Sequence, residues 1–136
     1  MNEVIQKIDE VYNVKVGSSI MDGYKIITDK QEILFLISNY DDCCEQWGYF
    51  STNDNLDEFT GATLLKINSV DLDSNVEEIL LKDHVGFSNM EDGGVVFVNI
   101  ETSNGTFQLA VYNAHNGYYG HSVLFKSNQE TFETGV

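Results

Sequence analysis

The sequence predicts an α+β fold, with residues 1–136 as one domain. The domain is expected to hold a mainly antiparallel sheet of about five to seven strands, an N-terminal helix and one or two short helices. Three observations lead there. The chain has 136 residues and is 42% hydrophobic, enough to bury a core without cross-links. Proline is absent, so glycines and Asn-Gly pairs must supply the turns between short apolar runs. Helical spacing is clear only at the start of the chain.

Residues 1–13 carry that spacing. Val4, Ile5, Ile8, Val11 and Tyr12 recur three and four apart and would form one apolar stripe on a helix. Val14 and Val16 then alternate with Lys15 until Gly17 breaks the pattern. "DGYKIITDKQEILFLIS" predicts a hairpin, with Tyr24 to Thr28 and Glu32 to Ser38 as strands and "DKQ" as the turn. Ile33 to Ile37 is continuously apolar, which points to a central strand covered on both faces.

Trp47 to Ser51 predicts the next strand. Asn53 or Asn55 can cap a short helix, with Asp54, Asp57 and Glu58 suited to its first turn and Gly61 to its end. Leu64, Leu65 and Ile67 predict another strand. "LDSNVEEILLKD" fits a short helix or an irregular strand, and "NMEDGG" reads as a loop. Asn104-Gly105 signals a two-residue hairpin turn. Taken literally, it sets Ser103 opposite Thr106, Ile100 opposite Leu109 and Val98 opposite Val111, and the two apolar pairs share one face. Glu101/Gln108 and Asn99/Ala110 then lie on the other. Phe97 and Tyr112 fall on that more polar face, which is therefore expected to be covered at one end. Ser122 to Phe125 would be the third strand of this meander, and residues 127–136 a frayed polar tail.

Charge narrows the function. Twenty-two acids against seven bases give a net charge of −15 and a pI of about 4.2. Direct binding to nucleic acid or an anionic membrane is disfavoured, because both require a basic footprint. No apolar run reaches the roughly 20 residues of a membrane span. The acidic, amphipathic start is unlike a signal peptide, so a cytosolic location with reduced cysteines is expected. Acidity serves solubility in general, and it also attracts basic partners.

Cys43 and Cys44 are adjacent within "DDCCE". Neighbouring cysteines on a strand point to opposite faces and share a metal poorly. A vicinal disulfide requires strained geometry and an oxidising compartment. Asp41, Asp42 and Glu45 would raise a thiol pKa, against a nucleophile. Packing at a strand end is the expected role. Asp71, Asp73, Asn75 and Glu77 open like a calcium loop, but Val76 and Lys82 occupy the positions that need Gly and Glu. No metal or other cofactor is expected. Nucleophile-elbow, phosphate-loop, zinc-protease and dinucleotide motifs are all missing, so no enzymatic activity is expected.

Several segments resemble an uncharacterised family associated with phages and their bacterial hosts. That family carries a D-C-C-E segment, here Asp42-Cys43-Cys44-Glu45. It also carries an S-N-G-Y-Y-S-x-x-V segment, here His115-Asn116-Gly117-Tyr118-Tyr119-Gly120-His121-Ser122-Val123. "NLDEFTGATLL" is similar to its D-L-x-D-L-I-G-x-P-I-L segment through Asp57, Phe59, Gly61, Leu64 and Leu65. The resemblance runs from Tyr24 to Phe125. His115 and Gly120 replace serines, and Ala110-Val111-Tyr112 stands where the family tends to have Arg-Trp and a further apolar residue. A ligand of that Arg-Trp pair would be lost here. The resemblance supplies a context and no reaction.

Two functional readings follow. The first is a non-enzymatic inhibitor encoded by a phage or mobile element and directed at a host defence system, as anti-CRISPR proteins are. It would act in the host cytosol on a basic, nucleic-acid-binding protein by placing carboxylates where phosphates bind. Asp41, Asp42, Glu45, Asp54, Asp57 and Glu58 form its expected patch. The second is a module that sequesters a nucleotide signal, with Trp47, Tyr118 and Tyr119 stacking on the base and Asn113 or Asn116 reading its edge. A structural protein that self-associates through an edge strand is a further alternative.

Overall fold

The structure is a computed structural model that describes residues 3–39, 46–51, 53, 55–71, 92–115, 122–128 and 131–135. Among these residues the fold is all-β apart from one 3₁₀ turn, which corrects the α+β expectation. In chain order the elements begin with β1 (Glu3–Val16), β2 (Ser19–Thr28), β3 (Glu32–Ser38) and β4 (Gln46–Ser51). The 3₁₀ turn η1 (Leu56–Phe59) follows, then β5 (Thr63–Asp71), β6 (Asp92–Thr102), β7 (Gly105–His115), β8 (Ser122–Lys126) and β9 (Thr131–Gly135). The nine strands form one sheet in the order β4-β7-β6-β5-β1-β2-β3-β8-β9, with every neighbouring pair antiparallel.

The sheet curls so that its two halves face each other across the core. One half contributes Tyr24, Ile26, Ile33, Phe35, Ile37, Val123 and Phe125. The other answers with Val96, Val98, Ile100, Phe107, Leu109 and Val111. The joint is narrow: β1 meets β5 only at Glu3↔Leu64 and Val4↔Thr63. β3 is buried on both faces, as its continuous apolar run predicts. Phe35 and Ile37 join the central core, while Leu36 packs with Met21 and Leu124 on the outside.

The helix expected over residues 1–13 is strand β1. Two β-bulges explain the misleading period. One extra residue sits between Ile5 and Lys7, so Ile5 opposes Thr28 while Ile8 opposes Ile26. A second lies between Val11 and Val14, so Val11 opposes Gly23 while Val14 opposes Met21. Each bulge keeps residues three apart on one face of a strand, where regular alternation would separate them. The helical stripe is therefore two strand faces: Ile5 and Ile8 point to the central core, and Val11 and Val14 to the outer cluster. Asn13 adopts φ 55° in the second bulge. Its amide donates to Asp22 Oδ1 at 2.8 Å, and Asn39 Nδ2 donates to both Asn13 Oδ1 and Asp22 Oδ1 at 2.9 Å.

The β6–β7 hairpin forms with a register two residues away from the expected one. Thr102 opposes Gly105, so Ser103 and Asn104 make the turn. Ile100 opposes Phe107 and Val98 opposes Leu109. Side-chain bonds hold this turn. Thr102 Oγ1 accepts from the Asn104 amide at 3.1 Å and donates to the Gly105 carbonyl at 2.7 Å. Ser103 bonds across to Thr63 through its amide and its hydroxyl, both at 2.9 Å. A slip of two preserves the face of every residue, so the inward set is as expected. The outer face is covered too: Phe97, Ala110 and Tyr112 are buried, with Phe50 against Phe97 and Tyr112.

Two further expectations need correction. β8 does not extend the β6–β7 meander; it crosses to the other half and pairs with β3. Its Val123 and Phe125 thereby fill the core opposite Ile37 and Phe35. The segment expected to fray contains β9, which pairs along the whole of β8. "LDSNVEEILLKD", the Asp73–Glu77 part of the calcium-like run and the first half of "NMEDGG" lie outside the described residues; Asp92 to Gly94 of the latter open β6.

Candidate functional site

A groove of about 640 Å³ opens where β1 passes β4 and η1. Ile8, Asp9 and Glu10 line one side. Tyr49, Phe50, Ser51 and Asn53 line the other, and Asn55, Leu56 and Asp57 close one end. Tyr24 contributes from β2, directly opposite Glu10 in the strand ladder.

Local structure places each group. Asn55 caps η1 by accepting from the Asp57 amide at 3.1 Å. Gly61 then donates to the Ile5 carbonyl at 2.7 Å, and the Ile5 amide donates to Ala62 at 2.9 Å. These bonds hold η1 against β1, and Phe59 anchors it by packing on Phe107 with ring centroids 4.6 Å apart. Asp57 is thus fixed at the rim near Asp9 and Glu10, far away in sequence.

Phenols surround Glu10. Tyr12 donates to Glu10 Oε2 at 2.7 Å and Tyr49 reaches the same oxygen at 3.4 Å. The rings of Tyr24 and Tyr49 meet edge to face at 5.3 Å and 82°. Burial, then the charge of Glu10, pushes the Tyr24 hydroxyl well above its ordinary 10.0. Burial raises Tyr49 similarly, aided by its bond with Tyr12 and by Glu10. Tyr12 is raised chiefly by its hydrogen bond to Glu10. The phenols therefore stay protonated donors at neutral pH, and the fixed charges on the groove are carboxylates. Asp9 pairs with Lys7 at 3.3 Å. Among the described residues, no lysine pairs with Glu10 or Asp57.

Of the six carboxylates expected to form the partner-binding patch, Asp57 and Glu58 are described, and both are exposed on η1. Asp41, Asp42, Glu45 and Asp54 lie outside the described residues, as do Cys43, Cys44, Asn116, Tyr118 and Tyr119. Trp47 and Asn113, expected as alternative ligand contacts, are brought together as a cross-strand pair of β4 and β7. Trp47 packs partly against the central core and Asn113 is 0% exposed. Asn113 is therefore closed to a base, whereas Trp47 keeps part of its surface exposed.

Asp9, Glu10, Tyr12, Tyr24 and Tyr49 were not singled out by sequence reasoning. Reading residues 1–13 as a helix put Glu10 on a solvated face, with no reason to meet β4. The signal available was the β-branched content of Val4, Ile5, Ile8 and Val11, which suits a strand better than a helix.

The family model described as "Domain of unknown function (DUF7448)" matches residues 2–125. The chain belongs to this family. The match spans β1 through nearly all of β8, and hence both halves of the core. Comparison with curated proteins and with solved structures gave no match. Among the described residues, no group of three or more His, Cys, Asp or Glu side chains could share a metal ion, and no helix is long and apolar enough to cross a membrane.

Proposed function

We propose that this chain is a non-catalytic acidic protein that docks on the basic surface of a nucleic-acid-binding protein. In the fuller form of this reading it is encoded by a phage or mobile element and blocks a host defence component by occupying its phosphate-binding surface. The observation that carries the reading is the convergence of Asp9, Glu10 and Asp57 on one groove, beside phenols that keep their protons. The net charge of −15 extends the same bias over the whole molecule and favours rapid electrostatic capture of a basic partner.

The test begins with affinity purification of the chain from its native host and identification of the co-purifying protein by mass spectrometry. Binding is then measured against salt, with the wild type and with Asp57→Lys/Glu58→Lys combined with reversal of Asp41, Asp42, Glu45 and Asp54. The expected result is a basic partner whose affinity falls steeply with ionic strength and is lost on charge reversal. Binding that survives both high salt and charge reversal overturns the reading. A co-purifying nucleotide with no protein partner does so as well, and favours the sequestering module instead.

A further inference from the structure

The groove beside Glu10 is walled by aromatic rings as well as charge. Tyr24, Tyr49 and Phe50 line it, Tyr49 being half-buried, and Tyr12, outside that lining, stands 61% exposed beside Glu10. The hydroxyls of Tyr12 and Tyr49 converge on a single oxygen of Glu10, Oε2. Among the described residues nothing donates to Oε1. Among the described residues, Glu10 is thus oriented by two phenols, keeps one oxygen available, and has no cation paired with it.

We propose that this groove seats the cationic head of one lysine or arginine side chain projected by a protein partner. Glu10 Oε1 accepts from the ammonium or guanidinium. The Tyr49 ring, which lines the groove, flanks the charge, and Tyr12, bonded to Glu10 beside that lining, adds a second ring, since a ring quadrupole attracts a cation. Asp57 at the rim adds a second carboxylate within the same groove. The apolar stem of the side chain lies along Ile8 and Leu56, which line the groove and pack partly against the core. Charge complementarity selects this occupant: a neutral side chain would leave the Glu10 charge uncompensated, and an anionic one would be repelled. This inference rests on the reading of the chain as a binder of basic protein surfaces, and it names the contact residue.

The experiment is a nuclear magnetic resonance titration of the full chain with N-acetyl-arginine amide, N-acetyl-lysine amide and N-acetyl-citrulline amide. Citrulline is nearly isosteric with arginine and uncharged. The expected result is that both cationic probes shift the ring resonances of Tyr12 and Tyr49 and the Glu10 amide, with dissociation constants on the order of millimolar, as a single weak cation site would give. Citrulline leaves them in place. Glu10→Gln, at an exposed position, weakens the cationic probes about fivefold, the scale of one exposed ion pair. Tyr12→Ala, also exposed, weakens them with the fold intact. Equal shifts from citrulline, or unchanged affinity in Glu10→Gln, overturn the inference. Its failure is separable from failure of the broader reading. A Glu10→Gln chain that holds its protein partner with wild-type affinity and salt dependence removes the groove contact alone. Salt-independent partner binding removes the broader reading.

Discussion

Gly23 lies against the backbone of Phe35. A Cβ added at Gly23 would collide with the Phe35 carbonyl oxygen and stand 2.9 Å from the Leu36 Cα. Neither atom can move without displacing β3, which is buried on both faces. Gly23→Ala is therefore expected to destabilise the protein by roughly 3 kcal/mol, at the upper end of ordinary overpacking. Gly17→Ala is the contrast. Its Cβ would meet nothing within 4 Å, and only its φ of +60° opposes a side chain. That change should cost about 1 kcal/mol. Urea denaturation of both variants checks the difference.

Phe59 is the one buried residue of η1, and it fastens the turn to Phe107. Phe59→Ala should cost about 3–5 kcal/mol, the usual range for losing a buried aromatic ring. It should also loosen the rim of the groove, because Asp57 sits on the same turn. The thermal midpoint reports the first effect, and amide exchange at Gly61, which bonds to Ile5, reports the second.

Asn13 occupies a left-handed conformation that asparagine and glycine tolerate better than other residues. Asn13→Ala meets both the backbone penalty and the loss of the bond from Asn39, so a loss of about 2 kcal/mol is expected. Asn13→Gly removes the penalty and retains the amide bond to Asp22, so it should lose under about 1 kcal/mol. Chemical denaturation of the two variants side by side measures the order.

The phenols of Tyr24 and Tyr49 carry raised pKa values in the folded state. The folded chain therefore holds protons that the unfolded chain releases once pH exceeds the ordinary 10.0. Their contribution to stability is complete below pH 10 and declines as pH rises above it. Ultraviolet titration near 295 nm should show the exposed Tyr12 ionising reversibly and ahead of Tyr24 and Tyr49. The latter two should ionise at higher pH, as the fold is lost. Ionisation of every tyrosine near pH 10 with the fold intact would contradict the burial of this cluster.

Much of the strand pattern was legible because short apolar runs, alternating or continuous, are bounded there by turn residues. β3 and β4 fall where Glu32 to Ser38 and Trp47 to Ser51 predict them, Tyr24 to Thr28 is the second half of β2, which starts earlier at Ser19, and Asn55 caps the turn that its sequence context suggests. β1 was not legible as a strand, because its two bulges convert a period of two into spacings of three. The hairpin register was missed for a different reason. Asn104-Gly105 favours a local turn, but Thr102 and Ser103 bond more productively one step earlier, with Thr63 of β5 as the outside partner. Such tertiary bonds leave no local mark. The destination of β8 is similar: nothing within Ser122 to Phe125 distinguishes pairing with β7 from pairing with β3. The groove was hidden for the same reasons, since Glu10 reaches Tyr49 only once β1 is extended and the sheet has curled.

The narrow seam between β1 and β5 has a mechanical consequence. Within each half, long main-chain ladders resist a pull along the strands. Between the halves, among the described residues, the ladder at Glu3 and Val4 is extended only by the two bonds of Ile5 to Gly61 and Ala62. Beyond that, apart from the long side-chain bond of Tyr49 to Glu10, the halves adhere mainly through apolar contact, which slides under load where a hydrogen-bonded ladder resists. Tension applied at Glu3 acts first on this short seam. The protein is built like a clasp, stiff in each leaf and compliant at the hinge line, and the leaves should part before either tears.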